Sequence, residues 1–284
     1  MTKAELLKNY ASQLPDGPYR KQYVRYAEDF LKSNDPTKEG VNAYIKKLSK
    51  HYKPGTVNFI FRVIRRLFIS NGLEWDFRRG EAPQITERDE HRPALAPELI
   101  KIMIETAKAG KMDDSLVTFL ALSTIYGCRR EEMRIITPKD IESKSNTIFI
   151  STVKGGRQRY HLIPPEIKPL LTQHDFSRQY SKTGVSQIFW RIVNAAGLGL
   201  LTSEDLGWHS IRRPLLSGLI DNGLNAFAAK AFLRWGGNVG ELAMPERYYG
   251  NVVIGLEGTK VVSKATREDK EIFEKYHPFI EFWR

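Results

Sequence analysis

Residues 76–95, DFRRGEAPQITERDEHRPAL, break every apolar periodicity in the chain. The stretch is charged, holds two prolines and has few large apolar side chains, so neither a helix stripe nor a strand face runs through it. Whatever folds on either side must bury its own core. A chain of 284 residues is long enough for two cores. The expected boundary lies near residue 88, with a small domain over 1–88 and a larger one over 89–284.

Upstream of the break the apolar spacing is helical. In PYRKQYVRYAEDFLKS, Tyr19, Tyr23, Tyr26, Phe30 and Leu31 recur at intervals that fall on one helix face. Val41, Tyr44, Ile45 and Leu48 repeat the pattern. KPGTVNFIFRVIRRLFISNG opens on a Pro-Gly turn with Thr56 as a candidate cap, and Val57, Ile60, Phe61, Ile64, Leu67 and Phe68 form its core stripe. The opposite face carries Asn58, Arg62, Arg65 and Arg66. These aromatic stripes are read as core. The arginine face is either a solvated surface or a surface for phosphates.

Downstream, APELIKIMIETAKAG reads as a helix with Pro97 in its first turn. DDSLVTFLALSTIYGCRREEMRIIT reads as an apolar helix, a turn at Gly127 and a second helix. The period then changes: Thr147, Phe149 and Ser151 alternate with Ile148, Ile150 and Thr152, a Gly-Gly turn follows, and RQRYHLIP resumes an extended run. This predicts a β-hairpin. After it the chain is expected to return to helix. The fold class is therefore mainly α with a small β-hairpin or sheet (α+β), in two domains.

Charge narrows the function. The net charge is +11, and residues 1–80 hold 16 Lys+Arg against 8 Asp+Glu, so most of the excess lies in the first domain. A polyanion is the natural partner of such a surface, and nucleic acid is the commonest. The single cysteine, Cys128, excludes an internal disulfide and a Cys-rich zinc motif. No apolar run reaches the roughly 18 residues of a membrane span, and MTKAELLKNYASQL lacks the apolar core of a secretory signal. The expectation is a cytoplasmic, nucleoid-associated protein with no membrane partner.

Four stretches of the second domain carry unusual chemistry. GCRREEM puts Arg129 at a turn after an apolar helix. TVKGGRQR puts Lys154 at the hairpin tip, with Arg157 beside it. GWHSIRRPLL supplies His209 and Arg212, three residues apart and on one face of a helix, followed by Arg213. RWGGNVGELAMPERYYG supplies Trp235 and the pair Tyr248–Tyr249. Singly, each is an ordinary surface feature.

In this order the stretches resemble the tyrosine recombinases of the phage-integrase and Xer type. Gly127, Arg129 and Glu132 fit that family's Gly-x-Arg-x-x-Glu, Lys154 its hairpin lysine, and His209 and Arg212 its His-x-x-Arg. Leu233-Arg234-Trp235 fits its Leu-x-(His/Trp), and Arg247-Tyr248 its terminal Arg-Tyr. The match covers nearly the whole chain, with the first domain resembling the family's core-binding domain. Two features depart from the pattern. Arg213-Pro214 stands where the family has a second histidine, and thirteen residues rather than about nine separate Trp235 from Tyr248. Tyr249 is thus the rival nucleophile.

The resemblance implies transfer of a DNA phosphodiester to Tyr248 through a 3′-phosphotyrosyl intermediate, with no metal, cofactor or ATP. Arg129 and Arg212 would clamp the non-bridging oxygens with forked hydrogen bonds. Lys154 would protonate the leaving 5′-oxygen, His209 would take the tyrosine proton or bond the phosphate, and Trp235 would donate its indole N–H. Glu132 would orient its neighbours. Asn58, Arg62, Arg65, Arg66, Arg157 and Arg213 are the expected DNA contacts. The implied partners are double-stranded DNA with a specific target site and further copies of the chain, a tetramer in synapsis. The apolar segment REDKEIFEKYHPFIEFWR is expected either to pack on its own domain or to be exchanged between neighbours. Two rival functions are a DNA-binding protein of the same fold without strand exchange and a type IB topoisomerase-like enzyme.

Overall fold

The computed structural model describes residues 1–17, 19–78, 80–81, 93–152, 158–201, 206–235, 253–254, 260–261 and 265–284. The chain divides into two compact units, Met1–His91 and Arg92–Arg284.

Among its described residues the first unit holds four helices: α1 (Lys3–Ser12), α2 (Arg20–Ser33), α3 (Lys38–Leu48) and α4 (Pro54–Ser70). Thr2 caps α1 in a reciprocal pair with Glu5, and Thr37 caps α3. Helix α4 begins one turn before the expected cap. Lys53 is its N-cap and Pro54 its first helical residue, so Thr56 lies inside the helix. Proline suits that place because the first-turn N–H has no intrahelical acceptor. The whole α4 stripe, from Val57 to Phe68, is buried, and Arg62, Arg65 and Arg66 face solvent. Tyr19 differs from expectation: it sits just before α2 and is 52% exposed, outside the stripe. The expected break also begins later than residue 76. Phe77 packs edge-on against Phe61 and beside Trp75, so the chain stays with the first core through this residue.

The second unit contains α5 (Pro97–Lys108), α6 (Asp114–Tyr126) and α7 (Arg130–Ile135), then strands β1 (Ile141–Glu142), β2 (Thr147–Ile150) and β3 (Arg159–Leu162). The strands form an antiparallel sheet in the order β1-β2-β3, with Ile150 opposite Arg159 and Thr147 opposite Leu162. Helices α8 (Lys168–Gln173), α9 (Lys182–Ala195), α10 (Trp208–Asp221) and α11 (Ala226–Phe232) follow. The return to helix is not complete, because β4 (Val253–Ile254) and β5 (Lys260–Val261) pair antiparallel before α12 (Ala265–Glu271) and α13 (Ile280–Trp283). Helix α6 is buried from Leu116 to its end, which is why it shows no polar face beyond its first two residues.

Pro214 lies inside α10 and brings no N–H to the carbonyl one turn back. That carbonyl, Ser210 O, accepts the Leu95 N–H at 2.8 Å instead. Leu95 is itself buried, so the last residue of the expected linker is an anchor of the second core. The C-terminal segment packs on its own unit. Phe279, Ile280 and Trp283 are buried, Trp283 Nε1 donates to Thr124 Oγ1 at 3.1 Å, and Pro278 lies against Gly218 of α10 so closely that a Cβ there would meet it at 2.7 Å.

Candidate active site

The site is built around the end of α6. Gly127 closes that helix in the left-handed conformation, φ 57°, a geometry that glycine adopts without penalty. A Cβ at this position would also sit 2.7 Å from Leu233 Cδ2 and 3.4 Å from Arg212 Cγ. Two elements from far along the chain are therefore seated directly on the turn.

The turn delivers Arg129 as the N-cap of α7 and places Glu132 in its first turn, where a carboxylate also answers the helix dipole. Glu132 is buried and accepts from three directions. Arg129 donates its backbone N–H to Oε2 at 2.9 Å and its Nη1 to Oε1 at 2.7 Å, and Arg234 Nη2 donates to Oε2 at 2.9 Å. Arg212 Nη1 lies 4.0 Å from Oε2. Burial alone would raise the Glu132 pKa; Arg234, the Arg129 N–H and Arg212 outweigh it and bring it to about 2. Three guanidiniums thus meet one carboxylate, a local charge of +2.

Arg212 reaches this point from the first turns of α10. Trp208, the first residue of that helix, is fixed by its indole N–H on Val185 O at 2.8 Å. The Arg212 guanidinium is buried and donates from Nη1 to Gly127 O and from Nη2 to Leu233 O. Each terminal nitrogen carries two hydrogens, so one on each remains for another acceptor. Trp235 stands over it, with the Arg212 Cζ 5.9 Å from the ring centroid, and is itself 45% exposed. Burial and the neighbouring arginines pull the Arg212 pKa down to about 9.

The structure therefore brings Arg129, Arg212 and Trp235 together. His209 lies in the first turn of α10, three residues before Arg212, exposed to solvent. Arg213, next to it, is half-buried. Lys154, Arg157, Tyr248 and Tyr249 lie outside the described residues; strands β2 and β3, which flank Lys154, are in register. Asn58, Arg62, Arg65 and Arg66 belong to the first unit, where Asn58 is half-buried and the arginines are exposed. Among the described residues no group of His, Cys, Asp and Glu is arranged to hold a metal ion.

Sequence reasoning missed Arg234, His161 and Asp269. Arg234 is fully buried, although it holds a left-handed backbone, φ 56°, which costs an L-residue roughly 1–2 kcal/mol. Beyond Glu132 it donates to Tyr126 O at 3.0 Å and to His161 Nε2 at 2.8 Å. His161 in turn donates its Nδ1–H to Asp269 Oδ2 at 3.1 Å, which fixes the neutral tautomer. Asp269 also accepts Arg159 Nη2 at 2.6 Å and the Leu162 N–H at 3.0 Å. Only the enclosure of Arg234 within the apolar FAAKAFLRW segment hinted at this. Asp269, inside REDKE, looks like any solvated helix residue.

The fold has counterparts among solved structures. A lambda integrase fragment, crystallised as a dimer bound to a COC′ core site, superposes with a TM-score of 0.62 at 16% identity, over 85% of this chain and 97% of that one. The Tn1549 transposon integrase in complex with transposon right-end DNA gives 0.62 at 15% identity, over 89% and 96%. The XerH site-specific recombinase bound to difH in a pre-cleavage complex gives 0.57 at 16%, over 84% and 80%. The fold is that of the tyrosine recombinases. In sequence, no family model matches the chain, and no curated protein matches it. Among the described residues no helix of the recombinase fold is long and apolar enough to cross a membrane.

Proposed function

We propose that the chain is a tyrosine-type site-specific recombinase, which cleaves and rejoins double-stranded DNA through a 3′-phosphotyrosyl intermediate. The observation that carries the reading is the cluster of Arg129, Arg212 and Arg234 around one buried carboxylate, with its excess charge beside a partly exposed Arg129 and an exposed Trp235. A cluster of this charge favours an anion, and forked guanidiniums match the two non-bridging oxygens of a phosphodiester.

In the reaction the Tyr248 oxygen attacks phosphorus and the bond to the 5′-oxygen breaks. The tyrosine proton passes to His209, and Lys154 supplies a proton to the leaving oxygen. The reverse steps with a new 5′-hydroxyl restore the phosphodiester, so bond energy is conserved. Arg129 and Arg212 stabilise the charge that grows on the non-bridging oxygens, an effect worth about 10²–10³ in rate for each donor. The first domain, 1–88, is the core-binding domain, and Asn58, Arg62, Arg65 and Arg66 contact DNA with it, while Arg157 and Arg213 contact DNA from the second. The active form is an oligomer assembled on two sites. The lambda integrase and Tn1549 integrase structures contain DNA, and the family order of motifs along this chain supports the same partner here.

The test uses full-length protein and a pool of duplexes with randomised flanks around one 5′-bridging phosphorothiolate. Its 5′-thiol leaving group rejoins poorly, so covalent complexes accumulate. Sequencing the trapped DNA and mapping the modified peptide are expected to give a preferred site and an adduct on Tyr248, lost in Tyr248→Phe. An adduct on Tyr249 would reassign the nucleophile. DNA bound at a preferred site with no adduct would replace the reading with a DNA-binding protein of the same fold. Lys154→Ala is expected to slow cleavage of ordinary DNA by about 10²–10⁴ and to cleave the phosphorothiolate at close to the wild-type rate. Equal loss on both substrates would remove Lys154 from the general-acid role.

A further inference from the structure

Arg234 takes no part in the reaction steps above, yet it is a fully buried charge. It joins two carboxylates that never touch. On one side it holds Glu132, the residue that grips both the backbone and the side chain of Arg129. On the other it donates to His161, which leads to Asp269 on α12 and so to Arg159 and the Leu162 N–H of β3. Four elements, α7, the end of α11, β3 and α12, therefore meet in one buried chain of hydrogen bonds.

The backbone shows that the side chain is what is wanted here. At φ 56° a glycine would be less strained, and the arginine sits there fully buried. A guanidinium is the group that fits, because it donates to Glu132, Tyr126 O and His161 from two nitrogens in one plane. Remove it, and Glu132 stays buried with Arg129 and Arg212 as its nearest cations. The carboxylate would draw both toward itself and away from an incoming phosphate.

We infer that Arg234 is a positioning residue: by neutralising Glu132 and tying it through His161 to Asp269, it keeps Arg129 and Arg212 turned toward a phosphate. The inference rests on the phosphate-clamp reading of the cluster. His161 and Asp269 are the supports of that device and would touch no substrate.

The test is Arg234→Gly, which relieves the backbone and removes the guanidinium, measured in the full chain with inorganic sulfate as the probe. Arg129→Ala defines the background of sulfate binding elsewhere on the basic surface. Arg234→Gly is expected to fall to that background and to form the covalent DNA adduct about 10²-fold more slowly. Millimolar guanidinium chloride, but not sodium chloride, should restore both by refilling the vacated site. Arg234→Lys keeps the charge without the fork, and should weaken sulfate binding at near wild-type Tm. Adding Glu132→Gln to Arg234→Gly removes the carboxylate that would draw Arg129 and Arg212 inward, so Tm and sulfate binding should both recover in part. Sulfate binding at the wild-type level in Arg234→Gly would reduce Arg234 to a structural ion pair, and binding that stays at background in the double variant while Tm recovers would show that Glu132 does not draw the clamp inward; either result overturns the inference. A wild-type protein that binds sulfate at the cluster but forms no adduct would instead sink the recombinase reading, and the positioning role would stand.

Discussion

Gly127 shows how much of the site depends on one residue. Its left-handed backbone and the close approach of Leu233 and Arg212 are separate demands, and a methyl group violates both. Gly127→Ala is expected to cost roughly 1–2 kcal/mol for the backbone and a further 1–3 kcal/mol for overpacking, read as a lower denaturation midpoint. Because the methyl group pushes on Leu233, whose carbonyl accepts from Arg212, the variant should also lose sulfate affinity. An unchanged midpoint would mean that Gly127 is not left-handed in solution. Next to it, Cys128 is buried and its thiol is pushed up to about 12 by that burial. It should resist thiol-alkylating reagents in the native protein and react only as fast as the second unit opens. At this scale the sequence was legible where a residue must look outward or end a helix. Arg129, Arg212 and Trp235 stood out by their order along the chain, and Gly127 by its place after an apolar run. Arg234, His161 and Asp269 did not, because their side-chain partners lie 73 to 110 residues away in the chain.

Among elements, the helical stripes and the hairpin were readable because each has a period that survives in one dimension. Every residue of the expected α4 stripe is buried, Val63 joins it, and β2 and β3 pair across the predicted turn. Tyr19 and Thr56 were misplaced because a cap and its first turn look alike until the start of the helix is fixed. The ends of the break at 76–95 were misjudged for a different reason. Phe77 and Leu95 are single apolar residues in polar surroundings, and no pattern marks an isolated anchor. The C-terminal segment is the element whose docking matters most. Trp283 sits 6% exposed against α6, with its indole bonded to Thr124. Trp283→Ala should destabilise the second unit by about 3–5 kcal/mol, the usual cost of truncating a buried aromatic. Gly218→Ala should act in the same direction through Pro278. Full retention of stability in Trp283→Ala, measured by urea denaturation, would mean that the segment leaves its own unit in solution.

For the whole molecule, two buried histidines set the response to acid. His161 is held between Arg234 and Asp269, with Arg159 beside it, and burial lowers its pKa to about 3. His277 donates Nε2–H to Ile125 O at 2.9 Å and accepts the Phe279 N–H on Nδ1 at 3.2 Å, so it too is a neutral tautomer, lowered by burial to about 4. In the unfolded chain both return to about 6.5. Below that pH the unfolded state binds more protons than the folded one, so stability falls as pH falls. The contribution is complete above pH ~6.5 and is lost downward through pH ~4 and then ~3, each histidine adding a slope of up to roughly 1.4 kcal/mol per pH unit. Glu132 acts with the same sign at lower pH. Its folded value of about 2 lies below the ordinary carboxylate range, so its stabilisation is present above ~4.3 and disappears toward 2. The Tm of the second unit is therefore expected to be flat between pH 7 and 8 and to drop steeply between 6.5 and 4. His277→Gln retains a donor for Ile125 O and an acceptor for the Phe279 N–H but carries no titrating group. It should lower Tm somewhat at pH 7.5 and narrow the gap between pH 7.5 and pH 5 by about 2 kcal/mol. Parallel pH profiles for the two proteins would show that His277 is charged or solvated in the native state, contrary to its place in the core.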